Sequence, residues 1–200
     1  MKRHIAVAIT GASGAIYGLR LIEELLAAGC RVSLLISSAG FIVLKEECGL
    51  EWTGDEASLN ATLQGHFKAA PDSLTYYGEN NFYSPLASGS SATDAMVVAP
   101  CSMGSLGRIA AGLSGNLLER AADVMLKEGR PLLLMPRETP LSAIHLENML
   151  KLARLGVAII PPMPGFYGHP QTVADMVNFV VSRVLERLGV ENMLAKRWGK

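Results

Sequence analysis

Short, continuously apolar runs alternate with longer amphipathic runs along most of this 200-residue chain. The short runs are typical of β-strands, at His4–Ile9, Arg31–Ile36, Ala95–Ala99, Pro131–Met135 and Val157–Ile160. Because these strands carry apolar side chains on both faces, helices must cover both faces of their sheet. The alternation therefore predicts a three-layer α/β fold built on a doubly wound parallel sheet.

The amphipathic runs predict the helices, and several of them end at a glycine. Their predicted ranges are 15–28, 40–48, 103–111, 116–128, 142–155 and 171–188. The polar, turn-rich segment 51–94 breaks the alternation and contains only one weak strand candidate, Leu74–Tyr77. We therefore predict that it is a crossover connection between strands, decorated with additional turns. We expect one domain over residues 1–188 and a C-terminal tail over 189–200.

The charge balance argues against a polyanionic partner. Lysine and arginine total 18, and aspartate and glutamate also total 18, so the net charge is zero and there is no bulk positive field for nucleic acid. Charged residues make up 18% of the chain, below the roughly 25% usual in soluble domains. The chain is short of polar residues to cover a monomer, which predicts a homo-oligomer.

The length of the apolar runs and the spacing of the cysteines bear on the cellular compartment. The apolar run at residues 5–9 is too short for a secretory signal, and no run approaches the roughly 18 apolar residues that cross a membrane. The cysteines are odd in number and widely spaced, at Cys30, Cys48 and Cys101. These observations favour a cytoplasmic protein without a membrane span.

Polar turns flank almost every predicted strand. Ligands of an open parallel sheet bind at the carboxyl ends of its strands, and hydroxyls and amides at helix N-termini suit an anion. The sequence therefore predicts a phosphate-bearing ligand at this edge. The turns are Gly11–Gly14, Ser37–Ser38, Ser88–Ser90, Pro100–Ser105, Pro136–Glu138 and Phe166–His169.

The glycine spacing of the first turn bears on which nucleotide binds. It reads G-x-x-G-x-x-x-G through Gly11, Gly14 and Gly18, and the second strand ends in Ser37 and Ser38 without an acidic residue for a ribose. No P-loop sequence occurs either. A Rossmann-like, mononucleotide-binding sheet, with a ligand such as FMN, remains, although the glycine turn taken alone equally fits a purely structural role.

Metal chemistry is disfavoured, because the four histidines are scattered and no H-x-x-x-H or C-x-x-C pair exists. Protein cations must then bind any substrate phosphate. Arg120, Lys127 and Arg183 each also fit an ordinary role on a helix surface or at a helix end. The adjacent Arg137 and Glu138, directly after a strand, point to function more strongly.

The motifs of the whole chain resemble those of the UbiX family of flavin prenyltransferases. The N-terminal half contributes T-G-A-S-G-A-I-Y-G at 10–18, A-S-G-S at 87–90 and P-C-S-M-G at 100–104. The C-terminal half adds R-A-A-D-V at 120–124, L-K-E-G-R at 126–130, P-R-E-T-P-L at 136–141, H-L-E-N-M at 145–149, P-P-M-P at 161–164 and the terminal K-R-W. Only residues 51–80 carry no motif of this kind.

The resemblance implies roles for individual residues. FMN would be bound by Gly11, Ala12, Ser13, Ser37, Ser102, Met103, Gly104, Ser105 and Arg137. Dimethylallyl monophosphate would be bound by Ser88, Ser90, Arg120, Tyr167 and Arg183, with Trp198 closing the site. The catalytic residues would be Ser13, Glu47, Lys127 and Glu138.

The reaction implied by the resemblance joins the dimethylallyl group to N5 and C6 of reduced FMN without a metal. The product, prenylated FMN, would serve a partner decarboxylase of the UbiD type, in a setting such as ubiquinone biosynthesis, and the enzyme would be a dodecamer. Two alternatives stay open: a flavin-dependent decarboxylase of the cysteine-decarboxylase group, and an FMN carrier without chemistry.

Overall fold

The structure, a computed structural model, describes residues 2–195 and Gly199. Its strands are β1 His4–Ile9, β2 Arg31–Ile36, β3 Leu74–Tyr76, β4 Ala95–Cys101, β5 Leu132–Pro136 and β6 Ala158–Ile159. They form one parallel sheet in the order β3-β2-β1-β4-β5-β6. The order reverses between β1 and β4, so a ligand crevice is expected above the carboxyl ends of these two strands.

Seven α-helices connect and cover the strands in the described part of the chain. They are α1 Ala15–Ala27, α2 Ser38–Cys48, α3 Glu56–His66, α4 Met103–Ala110, α5 Leu117–Lys127, α6 Ala143–Arg154 and α7 Val173–Leu188. Two short 3₁₀ turns, Pro85–Ala87 and Gly89–Ser91, precede β4. Across the described residues, no helix combines the length and apolarity needed to cross a bilayer.

The side chains of β1 show how the two cores are divided. Ile5, Val7 and Ile9 pack into a core with α1 and α7, whereas Ala6 and Ala8 pack into a second core with α4 and α5. This alternation with a period of two is what a strand covered on both faces requires. The predicted three-layer α/β fold with a doubly wound parallel sheet is confirmed.

The structure corrects the prediction mainly in the polar segment. Residues 56–66 form a helix that we did not predict, because only Leu59 and Leu63 of it are buried and the apolar periodicity is correspondingly weak. Asp55 begins this helix by accepting a hydrogen bond from the Ser58 amide at 2.8 Å. The weak strand candidate is real but one residue shorter than expected, and the last strand is only two residues long.

Gly18 permits the close packing of α1 on the sheet. A Cβ atom placed there would overlap the carbonyl oxygen of Ala99 in β4 and lie 2.9 Å from Cγ1 of Ile9. The first of these neighbours is backbone and cannot move aside cheaply. The third glycine of the first turn therefore serves helix–sheet packing.

We expect Gly18→Ala to lower the free energy of unfolding by about 1–3 kcal/mol, because the added methyl group overpacks a buried contact. Urea denaturation followed by circular dichroism measures this. Gly65→Ala in α3 is the matched control: a Cβ at Gly65 meets open space, so this variant should be more stable by about 0.5–1 kcal/mol. Equal stability of the two variants would contradict the packing role.

Candidate functional site

Hydrogen bonds join the turns after β1 and β4 at the reversal of strand order. The Thr10 hydroxyl donates to the Pro100 carbonyl at 2.8 Å and accepts from the Ser102 amide at 2.7 Å. Thr10 is fully buried, so this contact is shielded from competing water. It fixes the spacing of the two turns on either side of the crevice.

Serine side chains begin two of the helices that start at this edge. Ser37 accepts a hydrogen bond from the Gly40 amide at 3.0 Å at the start of α2, and Ser102 accepts one from the Ser105 amide at 3.1 Å at the start of α4. The Ser37 amide in turn donates to the Ile9 carbonyl, which ties α2 to β1. The helix N-termini thus converge beside the crevice with hydroxyl groups at their first turns.

Glu47, near the end of α2, places its carboxylate at the N-terminus of α1. It accepts hydrogen bonds from the amides of Gly14 at 2.8 Å and Ala15 at 3.1 Å. Burial acts to raise the pKa of Glu47, but the hydrogen bonds from Ser13, Gly14 and Ala15 and the charge of Arg137 outweigh it and hold the pKa below its ordinary value. The start of α1 is therefore a working anion site, with a side-chain carboxylate as its anion.

Arg137 brings positive charge to the same turn. It follows β5, its amide donates to the Cys101 carbonyl, and its Nε donates to the Ser13 carbonyl at 3.2 Å. The neighbouring Glu138 is exposed and accepts a hydrogen bond from the Thr139 amide. One protomer thus brings together at one edge all of the predicted flavin residues and both predicted catalytic acids: Gly11, Ala12, Ser13, Ser37, Glu47, Ser102, Met103, Gly104, Ser105, Arg137 and Glu138.

A second group of predicted residues lies along α5. The Nε of Arg120 donates to the Ala87 carbonyl at 3.0 Å, and the Ser88 and Ser90 hydroxyls are 2.9 Å apart. A Cβ placed on Gly89 would lie 2.8 Å from the Nζ of Lys127. The serine turn and the two cations therefore form one surface.

The position of Lys127 separates this second group from Glu138. Helix α5 has 11 residues, so it is roughly 16 Å long, and Lys127 ends it shortly before β5 begins. Glu138 follows the opposite end of β5, which extends over a similar length. Within one protomer, Lys127 thus lies toward the amino ends of the strands and Glu138 toward their carboxyl ends.

A third group lies on α7 and the loop before it. The ring of Tyr167 contacts that of Phe179 edge-on, with centroids 5.6 Å apart. One helical turn further on, Arg183 pairs with Glu186 and borders a hollow of about 490 Å³ with Ala158, Ile160 and Arg187. Trp198 lies outside the described residues.

Cys101 is part of the core. It is fully buried, and burial raises the pKa of its thiol to about 12. The described residues contain no group of three or more His, Cys, Asp or Glu side chains arranged to bind a metal ion. This environment is that of a cysteine that packs in a core and not that of a nucleophile.

Sequence reasoning missed Glu79, which reaches this edge from the loop after β3. Its carboxylate accepts hydrogen bonds from the amide and hydroxyl of Ser38 and from the side-chain amide of Asn116. The residue lies 41 positions from Ser38 in the chain, inside the segment without a motif. No local pattern could have revealed it.

Comparisons with known proteins agree with this geometry. The family model described as Flavoprotein matches residues 1–185. A protein of Halalkalibacterium halodurans named flavin prenyltransferase UbiX is 50% identical over 194 residues, covering 97% of this chain and 92% of that protein. A second relative of the same name, from Pseudomonas aeruginosa, is 49% identical over 196 residues, covering 98% and 94%.

Solved structures extend the agreement to the fold. The crystal structure of AnUbiX in complex with FMN and dimethylallyl pyrophosphate has a TM-score of 0.86 and 35% identity, covering 100% of this chain and 99% of that chain. A dodecameric FMN-dependent UbiX-like decarboxylase from Escherichia coli O157:H7 has a TM-score of 0.85 and 41% identity, covering 98% and 100%.

We expect Glu47→Gln to destabilise the protein at pH 7 in a pH-dependent way. Since folding lowers the pKa of Glu47, its ionised form favours the folded state above the ordinary pKa of 4.5, and this contribution is lost as the pH falls through the folded pKa. The free energies of unfolding of variant and wild type should therefore converge as the pH drops below 4.5. Urea titrations from pH 7 downward measure the difference.

Glu46→Gln is the control, because Glu46 lies on the same helix with its side chain exposed. We expect it to differ from wild type by less than about 0.5 kcal/mol at every pH. A Glu47→Gln difference that stays constant with pH would contradict the anion-site assignment.

Proposed function

The chain belongs to the Flavoprotein family and, within it, to the UbiX flavin prenyltransferases, and we propose from this premise that it transfers a dimethylallyl group to reduced FMN. The new bonds would join the group to N5 and C6 of the flavin. The observation that carries the proposal is the carboxyl edge of the sheet, where helix N-termini, serine hydroxyls and Arg137 converge at the reversal of strand order.

The donors at this edge fit a flavin mononucleotide. Because the Glu47 carboxylate occupies the amides of Gly14 and Ala15 at the start of α1, a phosphate would take its N–H donors at the start of α4. Ser13, Ser37, Ser102 and Arg137 would add hydroxyl and guanidinium donors around it. When bound, the reduced flavin supplies two nucleophilic atoms, N5 and C6.

The cations of the other two groups suit the second substrate, a dimethylallyl phosphate ester. Breaking its allylic C–O bond leaves the bonding electrons on the phosphate, so negative charge develops there. Arg120, Lys127 and Arg183 would stabilise that charge, together with the Tyr167 hydroxyl and the hydroxyls of Ser88 and Ser90. Trp198 would help to close the site.

The carboxylates would handle the protons. Each new bond releases one flavin proton, from N5 and from C6; one proton saturates the alkene carbon of the transferred group, and the other leaves with the phosphate. Glu138 would accept the proton from C6. Glu47, whose pKa is lowered, is ionised at neutral pH and would act as a proton acceptor through its hydrogen bond with Ser13.

The separation of Lys127 from Glu138 supports an active site that lies between subunits. The two residues lie toward opposite edges of one protomer, so a second copy must bring Lys127 to the flavin edge. Exposed apolar side chains on and near α6, namely Leu141, Ile144, Leu146, Leu150 and Leu155, favour burial against other copies. A homo-oligomer, and specifically a dodecamer, is therefore part of the proposal.

Metal independence, a cytoplasmic location and a UbiD-type decarboxylase as recipient of prenylated FMN complete the proposal. The last follows from chemistry as well as family, because a modified flavin made by one enzyme needs a second enzyme that uses it. A role in ubiquinone biosynthesis would follow where that decarboxylase acts.

Mass spectrometry of the extracted flavin tests the function. We expect the protein, incubated with reduced FMN and dimethylallyl monophosphate in EDTA, to release a flavin heavier by one five-carbon unit. The pyrophosphate ester is assayed in parallel, which decides between the two leaving groups. Unmodified FMN would indicate the carrier, and loss of CO₂ from a peptidyl cysteine without flavin modification would indicate the decarboxylase.

Mixed oligomers test the shared site. We expect Lys127→Ala and Glu138→Gln each to lower kcat/KM at least about tenfold, through a lost charge-assisted hydrogen bond and a lost base respectively. If each site takes the two residues from different subunits, random mixing leaves about a quarter of the sites intact. Co-expression of the two variants should therefore restore about that fraction of the activity.

The matched control mixes Arg137→Ala with Glu138→Gln, because both residues come from the same edge of one protomer. This mixture should show no recovery. Failure of the first mixture, or recovery in both, would contradict the proposed arrangement.

A further inference from the structure

The strand order of this sheet, β3-β2-β1-β4-β5-β6, is also that of sheets that bind dinucleotides. In such sheets the adenosine half lies over the β2 side of the crevice, where an acidic residue at the end of β2 binds the ribose hydroxyls. The topology alone would therefore admit FAD as well as FMN. The residues at the end of β2 must decide between them.

A carboxylate does lie at the end of β2, but Glu79 supplies it from beyond β3. Its Oε2 accepts hydrogen bonds from the Ser38 amide at 3.2 Å and the Ser38 hydroxyl at 2.9 Å. Its Oε1 accepts one from the Nδ2 of Asn116 at 3.2 Å. Three of the roughly four acceptor sites of the carboxylate are then used by the protein, so it cannot accept both hydroxyls of a ribose diol.

The segment around Glu79, residues 77–81, forms a strap from β3 to the start of α5. The Glu79 carbonyl accepts a hydrogen bond from the Leu117 amide at 2.8 Å, in addition to the Asn116 contact of the side chain. The base of the strap is fastened separately, because the Glu56 carboxylate accepts hydrogen bonds from the Gly78 amide and the Asn81 side chain. The strap thus passes over the half of the edge that an adenosine would use.

We propose that Glu79 is a specificity-determining residue that restricts this site to a mononucleotide flavin. Its side chain fills the position at the end of β2, takes the Ser38 donors for itself and presents negative charge to a second phosphate. The inference rests on the proposed function for FMN as the ligand. It assigns to Glu79 the exclusion of FAD and of other adenosine diphosphate ligands.

Calorimetric titration of the flavin-free oligomer with FMN and with FAD tests the proposal. We expect Glu79→Ala to lower the ratio of the FAD Kd to the FMN Kd about tenfold or more, because FAD binding improves when an occupied, charged position is emptied. The Kd for FMN should change by less than about threefold, since Glu79 contacts Ser38 and not the residues assigned to FMN. Retained FMN binding also shows that the variant is folded.

Two further variants complete the design. Glu79→Gln conserves the side-chain volume but places an amide against the Ser38 and Asn116 donors, so the ratio should fall in the same direction by about threefold. Glu56→Ala loosens the base of the strap without emptying the end of β2, and should leave the ratio within about twofold of wild type.

An unchanged ratio in Glu79→Ala overturns the proposal, and so does an equal fall in Glu56→Ala, which would assign the selectivity to strap mobility. Failure of the wild-type protein to bind FMN would instead refute the proposed function. The two ideas therefore fail by different results.

Discussion

The convergence of helix N-termini on one edge of a parallel sheet is the constraint on which the rest of the structure depends. Each N-terminus presents unpaired amides and positive dipole charge to that edge. Carboxylates from elsewhere in the chain accept hydrogen bonds from two of these N-termini, Glu47 at α1 and Glu79 at α2. At another N-terminus, that of α4, a hydroxyl oxygen is the cap. The edge is consequently an anion site in which some helix N-termini already bind a carboxylate of the protein and another binds only a hydroxyl.

The parts of the molecule that could be predicted are those encoded by local patterns. Strand β1 is read from a run of apolar residues, and the start of α4 from Ser102, because strand burial and N-capping depend on residues a few positions apart. The carboxyl-edge position of Arg137 followed from the same local logic. The division into a domain over 1–188 and a tail stays a prediction, as do the individual roles of the site residues.

The parts that could not be predicted depend on contacts distant in sequence. Helix α3 buries too few side chains to show an apolar period, and Glu79 reaches Ser38 across 41 positions. From the sequence, a mononucleotide was favoured because no acidic residue follows β2. That reasoning left out acidic residues that reach the end of β2 from elsewhere in the chain. In the structure an acid, Glu79, reaches that position through space, and in our proposal its hydrogen bonds to the protein account for the preference for a mononucleotide.

The separation of Lys127 from Glu138 within one protomer gives the proposed assembly a chemical role. Lys127 and Glu138 would oppose each other's charge if they met in one subunit, since an ion pair between them would neutralise both the phosphate binder and the base. Inside the protomer, Lys127 pairs with Glu128 and Arg183 with Glu186, which keeps each cation occupied until a phosphate competes for it. In the proposed arrangement, a site formed between subunits would keep the two kinds of charge apart during folding and would join them in a crevice shielded from water, where each contact is strongest.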